Sequence, residues 1–182
     1  MLFIGIDLGT SAVKLLLMDE NGSIHKTVST EYPLYFPQPG WAEQDPEDWL
    51  AQTVEGIKEL TSDCEKARIR GISFGGQMHG LVALDERDQV IRPAILWNDG
   101  RSAAQTEYLN CKIGKRTLSK FTGNIAFAGF TAPKILWMRE NEPENFARIR
   151  KIMLPKDYLA YRLSGIFCTD DSDASGTLLQ DV

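Results

Sequence analysis

The chain is short of the residues that most often mark a chemical site. Its 182 residues include two histidines, His25 and His79, and three cysteines, Cys64, Cys111 and Cys168. The cysteines are odd in number, far apart and in no CxxC pair, which argues against structural zinc and a disulfide framework. HExxH is absent, and neither histidine stands near a nucleophile-elbow pattern, so a Ser-His-Asp triad has little to build on. GxxxxGK[ST] and GxGxxG are also missing, which lowers the P-loop and Rossmann readings. No apolar run reaches the roughly 18 residues of a membrane-spanning helix. The opening Met1-Leu2-Phe3-Ile4-Gly5-Ile6-Asp7 has no basic leader, unlike a signal peptide. Basic residues number 20 against 25 acidic ones, a formal charge of −5, so no broad surface for a polyanion is expected. Nucleic-acid and membrane partners are therefore not anticipated, and the expected compartment is the cytoplasm.

What remains is an ordinary soluble composition, 43% apolar and 25% charged, in a length that suits one domain better than two. Residues 2–8 and Val13–Met18 read as strands joined by a tight turn at Asp7-Leu8-Gly9-Thr10-Ser11. Asn21-Gly22 signals a two-residue hairpin loop into a third strand over Ile24–Thr30. Asp45-Pro46 opens a helix with an apolar stripe at Leu50, Val54 and Ile57. Ile69–Phe74 reads as a buried strand, and Leu81–Leu84 and Val90–Trp97 as two more. Helices are expected near Ser102–Cys111, Ala132–Asn141 and Asp157–Leu163, and a short strand at Lys151–Leu154. Strands first, then helices and strands in alternation, indicate an α/β domain with a mixed sheet.

Three segments could carry chemistry. Asp7 ends the first strand before Gly9-Thr10-Ser11, a turn whose N–H groups and hydroxyls could face phosphate oxygens. Asp7 would then hold a hydrated Mg²⁺ between the phosphates. The same residues also make a plain polar hairpin turn. Gly75-Gly76-Gln77-Met78-His79-Gly80 leaves backbone open to a ligand, with Gln77 and His79 offering polar groups and Met78 a soft wall. A glycine-rich connection with one satisfied histidine fits equally well. Trp97-Asn98-Asp99-Gly100-Arg101 follows a strand and would suit a polyhydroxylated ligand, or a simple helix cap.

Together the segments resemble the amino-terminal lobe of the FGGY carbohydrate kinases, within the actin and hexokinase (ribonuclease H-like) ATPase superfamily. IGIDLGTSAVK resembles the superfamily's first phosphate motif. GGQMHG, PAILWNDGR, FTGN, GFTAPK, MLPKDYLAYRLSG and DDSDASGT resemble the xylulokinase branch, in order and over nearly the whole chain. Glycerol kinases carry a differently charged segment in place of GGQMHG, so the likeness favours a ketose. It implies ATP and Mg²⁺ as cofactors and D-xylulose as substrate, giving xylulose 5-phosphate. Asp7 matches the metal-associated aspartate, while Gly9, Thr10, Ser11 and Lys14 fall at the nucleotide phosphates. Lys14 reads equally well as a charge at a strand edge. Met78 and His79 match the ketose-contacting pair, with Gln77, Trp97, Asn98, Asp99 and Arg101 as further substrate contacts. The family's general base has no counterpart among Asp170, Asp171, Asp173 and Asp181 and is expected beyond Val182. Residues 1–182 are thus expected to form an incomplete first lobe, without the second, that folds but does not turn over. Self-association as a homodimer is a secondary expectation. A non-catalytic binding module of the same fold, or a kinase for another pentulose or polyol, is the alternative.

Overall fold

A computed structural model describes residues 1–182 as a mixed α/β assembly. Strands β1 (Leu2–Leu8), β2 (Ala12–Asp19) and β3 (Ile24–Glu31) form the antiparallel meander that the alternating pattern predicts. In β1, Leu2, Ile4, Ile6 and Leu8 point into the core and the residues between them do not. The β2–β3 connection is longer than a two-residue turn. Only Gly22 takes a positive φ (83°), and Asp19 N–H reaches Ser23 O at 3.1 Å, so the loop is Glu20-Asn21-Gly22. The Asp19 carboxylate accepts from Asn21 N–H and Ser23 N–H at 2.9 and 3.0 Å, which satisfies the donors that the longer turn exposes.

After β4 (Glu43–Gln44), α1 (Pro46–Leu60) starts as expected, with Asp45 accepting from Glu47 N–H at 2.9 Å. Its buried face is not the predicted Leu50–Val54–Ile57 stripe, which is only half-buried. Trp49, Thr53, Gly56 and Leu60 face the sheet instead. The reason is close approach: a Cβ on Gly56 would lie 2.6 Å from Leu15 Cδ1, so the helix can sit this near β2 only along its glycine.

β5 (Ile69–Gly76) pairs parallel with β1, placing Gly75 beside Asp7 and giving the sheet order β3-β2-β1-β5. The expectation of a buried strand fails here. β5 is an edge with a neighbour on one side only, and Ile72 is 45% exposed.

Beyond it come β6 (Val82–Leu84), β7 (Ala94–Ile95), α2 (Ala103–Tyr108), α3 (Lys115–Thr122), α4 (Thr131–Asn141), α5 (Pro143–Arg148), β8 (Lys151–Met153), α6 (Pro155–Ser164) and α7 (Asp171–Ala174). The strand expected over Val90–Trp97 shrinks to β7, because Pro93 has no N–H to offer a ladder. The helix expected to Cys111 gives way after Tyr108 to a π-helical turn, Leu109–Gly114. α3, which periodicity did not reveal, follows between Gly114 (φ 91°) and Gly123 (φ 67°). The main core joins β1 and β2 to Trp49 and Leu60 of α1 and to Tyr158 and Leu159 of α6. A second cluster packs Leu81, Ala83 and Ile95 against Trp137 and Met138 of α4, fixing the segments that carry the site. No helix is long and apolar enough to cross a membrane.

Candidate functional site

The β1–β2 turn is built so that its acceptors face inward and its donors outward. Gly9 N–H closes the turn on Ala12 O at 3.0 Å, and a Cβ on Gly9 would press on that same oxygen. Leu8 O accepts from Gln77 N–H at 2.7 Å and Thr10 O from Gln44 Nε2 at 2.6 Å, while Gly9 O takes the Tyr32 hydroxyl. The N–H groups of Thr10 and Ser11 have no protein acceptor. With their hydroxyls they form a donor-rich concavity of the kind that binds anions. Beside it, Asp7 is exposed and makes no ion pair, and Lys14, its partner across the antiparallel register, is exposed as well. Burial, helped by the Asp7 charge, pushes the Tyr32 phenol well above its usual range, so Tyr32 stays a neutral donor.

The loop after β5 holds a strained residue. His79 has φ +61°, a left-handed conformation that costs a non-glycine residue on the order of 1–3 kcal/mol unless its surroundings impose it. They do. The His79 carbonyl accepts from Thr131 Oγ1 at 3.2 Å and Lys134 Nζ at 2.8 Å. The ring lies against Phe130, with centroids 4.4 Å apart, and Gly176 backs onto its edge so closely that a Cβ would come within 2.4 Å of Cε1. Burial lowers the imidazole pKa, with Lys134 acting in the same sense and Asp173 opposing. The ring is therefore neutral at pH 7, with one nitrogen to donate and one to accept. Its Nδ1 is buried and unpartnered within the protein. Met78 is 46% exposed at the rim. Gln77 departs from the expected role: it is buried, and its Nε2 donates to Gln44 Oε1 at 3.0 Å. It links the loop, through Gln44, to the phosphate-type turn.

The Trp97–Arg101 segment divides in two. Trp97, 42% exposed, donates from Nε1 to Thr10 Oγ1 at 3.1 Å, and Asn98 is exposed beside it. Asp99 and Arg101 do not reach a ligand wall. Both side chains are fully buried and paired at 2.7 Å, and Asp99 also accepts from Ala42 N–H at 2.6 Å. Arg101 further pairs with Glu43 at 2.7 Å and stacks 3.7 Å from the Trp41 ring centroid. Asp99 takes the Nε and Nη2 donors of the buried guanidinium, so the pair fixes the loop.

Of these parts the loop after β5 opens into a cleft of about 660 Å³, with Gly75, Gly76, Met78 and His79 on one side and Asn124, Phe130 and Gly176 on others. A second hollow of about 650 Å³, bearing Asp7 and Lys14, shares Phe74 and Gly75 with it. Lys156, Asp170 and Asp173, also in the cleft, carried no assignment from the sequence. Lys156 Nζ pairs with Asp157, Asp170 and Asp173 at 2.6, 2.7 and 3.2 Å. The hydrogen bond from Lys156, with further ones from Ser172 and the Asp173 backbone, holds the Asp170 carboxyl far below the usual carboxylate range. The MLPKDYLAYRLSG, DDSDASGT and GFTAPK motifs were the available signal for this part of the site, since they supply Lys156, Asp170, Asp173 and the residues around His79.

Residues 2–182 match the model of the FGGY family of carbohydrate kinases, N-terminal domain. A xylulose kinase from Lactococcus lactis subsp. lactis is 50% identical over 182 residues, covering 98% of this chain and 36% of the relative. One from Bacillus subtilis is 49% identical over 178 residues, covering 97% of this chain and 36% of the relative. The crystal structure of a "xyloylose kinase" from Brucella ovis superposes with a TM-score of 0.94 at 44% identity, covering 100% of this chain and 38% of that one. The chain thus spans little more than a third of the length of the relatives it matches.

Proposed function

This chain belongs to the FGGY family of carbohydrate kinases, as N-terminal domain, and on that premise we propose that it forms part of an enzyme phosphorylating D-xylulose from ATP. The observation that carries the reading is the contact between two hollows: an outward-facing donor turn beside a free carboxylate, and a neutral histidine in a cleft. The N–H groups and hydroxyls of Thr10 and Ser11 bind phosphate oxygens, with Gly9 letting the backbone approach. Lys14 adds positive charge at the rim of that hollow. Asp7 fits Mg²⁺ as a lone exposed carboxylate, because magnesium keeps most of its waters and takes one or two protein oxygens plus phosphates. When bound, the ion neutralises charge on the transferring phosphoryl group.

The sugar lies in the His79 cleft. The neutral imidazole bonds a hydroxyl, Met78 and Phe130 give apolar contact, and Trp97 with Asn98 forms the wall nearest the phosphate turn. The cleft's own Asp170 and Asp173 are engaged by Lys156 and make poor bases, so neither is assigned the acceptor hydroxyl's proton. The cytoplasm suits the reaction, since Cys64, Cys111 and Cys168 are unpaired. The test is coupled ADP release by a kinase of the relatives' length carrying this lobe, offered D-xylulose, D-ribulose, gluconate and glycerol with Mg-ATP. Turnover fastest on D-xylulose is expected. ADP release indifferent to any sugar would sink the kinase reading, and preference for another polyol would move the substrate.

A further inference from the structure

Lys134 is 1% exposed and has no carboxylate partner. Its Nζ instead donates to two backbone carbonyls, His79 O at 2.8 Å and Gly129 O at 2.6 Å. An ammonium buried without a counter-ion is expensive, and a methionine would fill similar volume with no desolvation cost. What a methionine cannot supply is donors. The two carbonyls belong to separate stretches of the chain, the loop after β5 and the segment leading into α4. One is the carbonyl of the left-handed residue whose ring meets the ligand. The other belongs to Gly129, whose backbone abuts Trp97 so tightly that a Cβ would lie 2.4 Å from Trp97 O. Gly129 is followed directly by Phe130, on which the His79 ring rests.

We propose that Lys134 is a positioning residue for the ketose site: by bonding both carbonyls it holds His79 in its left-handed conformation and ties the His79 loop to the Gly129–Phe130 segment on which its ring rests. The proposal rests on the ketose role of His79 for its meaning, but not for its test. Thr131, donating to the same carbonyl, is the secondary anchor. Burial drives the Lys134 pKa down to about 7, with Asp99 pulling it up and Arg101 pushing it down, and Lys134 in turn lowers that of His79. Asp99, Arg101 and His79 are thus the charged and titratable groups that bear on the ammonium.

The experiment is NMR on the 182-residue chain with His25→Gln, which leaves His79 as its one histidine. In the Lys134→Met variant the chain should keep its dispersed amide spectrum. The His79 ring should lose the ring-current shift given by Phe130, and its titration midpoint should move upward because a nearby positive charge is gone. A folded variant with unchanged His79 ring shifts and an unchanged midpoint overturns the proposal. If Lys134→Met does not fold, Thr131→Val decides: a partial loss of the same ring-current shift supports anchoring through the carbonyl, and an unaltered ring refutes it. No sugar is needed, so the result is independent of the substrate reading, which D-xylulose titrated into the unmodified chain tests separately.

Discussion

The turn after β1 and the loop after β5 face neighbouring hollows, yet they are held by different means. The turn closes on itself and presents its own donors. Gly9 N–H closes it on Ala12 O, and the Tyr32 and Gln44 side chains with the Gln77 backbone take up its carbonyls. The loop is assembled from a distance. Thr131 and Lys134 of α4 hold the His79 carbonyl, Phe130 supports the ring, and Gly176 near the carboxyl end closes the far side. The lesson is that the donors of a phosphate-type grip can be written into one hairpin, whereas the sugar wall here is made by three separate stretches of chain, around His79, Phe130–Lys134 and Gly176. Variants should therefore separate chemistry from architecture at the turn and merge them at the loop.

The largest effect is expected where chemistry stands alone. Asp7→Asn in the full kinase should cut kcat by about 10³, since several kcal/mol of metal-dependent stabilisation is at stake. The melting temperature should hardly move, because Asp7 is exposed and unpaired. Steady-state kinetics alongside thermal unfolding checks this, and near-normal kcat would remove Asp7 from the site.

Gln44→Ala tests how far the turn depends on its tertiary pins. Gln44 is fully buried, donates to Thr10 O and accepts from Gln77 Nε2 and from Trp49 Nε1 at 3.2 Å. Stranding those partners should cost about 3 kcal/mol in urea unfolding. A loss below roughly 0.5 kcal/mol, within the noise of an ordinary surface change, would show the turn to be self-sufficient.

Gly176→Ala probes the loop from its far side. The new Cβ cannot coexist with the His79 ring in place, so D-xylulose affinity measured by calorimetry should fall about tenfold, equivalent to about 1.4 kcal/mol. Affinity unchanged within twofold would mean the ring does not touch the sugar.

The most gradual effect is in pH dependence. Lys134 has a pKa of about 7 in the fold against an ordinary 10.5, so between those values the unfolded chain holds a proton that the folded one has lost. Stability should rise with pH across that window by at most about 1.4 kcal/mol per unit, and below pH 7 the contribution is constant. Urea unfolding at pH 7.5 and 9.5 should show the slope in the native chain and its absence in Lys134→Met. Equal slopes would mean the ammonium is not desolvated.

Much of this was legible in the residues. The β1-β2-β3 meander, the Asp45-Pro46 helix start, Asp7 before a glycine turn and His79 in a glycine-rich loop all rest on short-range rules of alternation, capping and turn chemistry. The motifs by themselves resemble those of the FGGY family. Those same rules misplaced the buried face of α1, because Gly56 sits under Leu15, a partner some forty positions away in the chain that only packing selects. They lengthened β7 and made an edge strand a buried one, since strand neighbours are not encoded locally. Asp99 and Arg101 looked like ligand contacts because charge beside tryptophan suits a sugar as well as it suits a buried ion pair. Lys134 carries no local signal beyond its place in GFTAPK. Sequence by itself determined which side chains were at hand and which local turns could present them. Tertiary structure alone decided which polar groups were satisfied inside and which were left facing a ligand, because that depends on partners brought together by folding at hydrogen-bond distance.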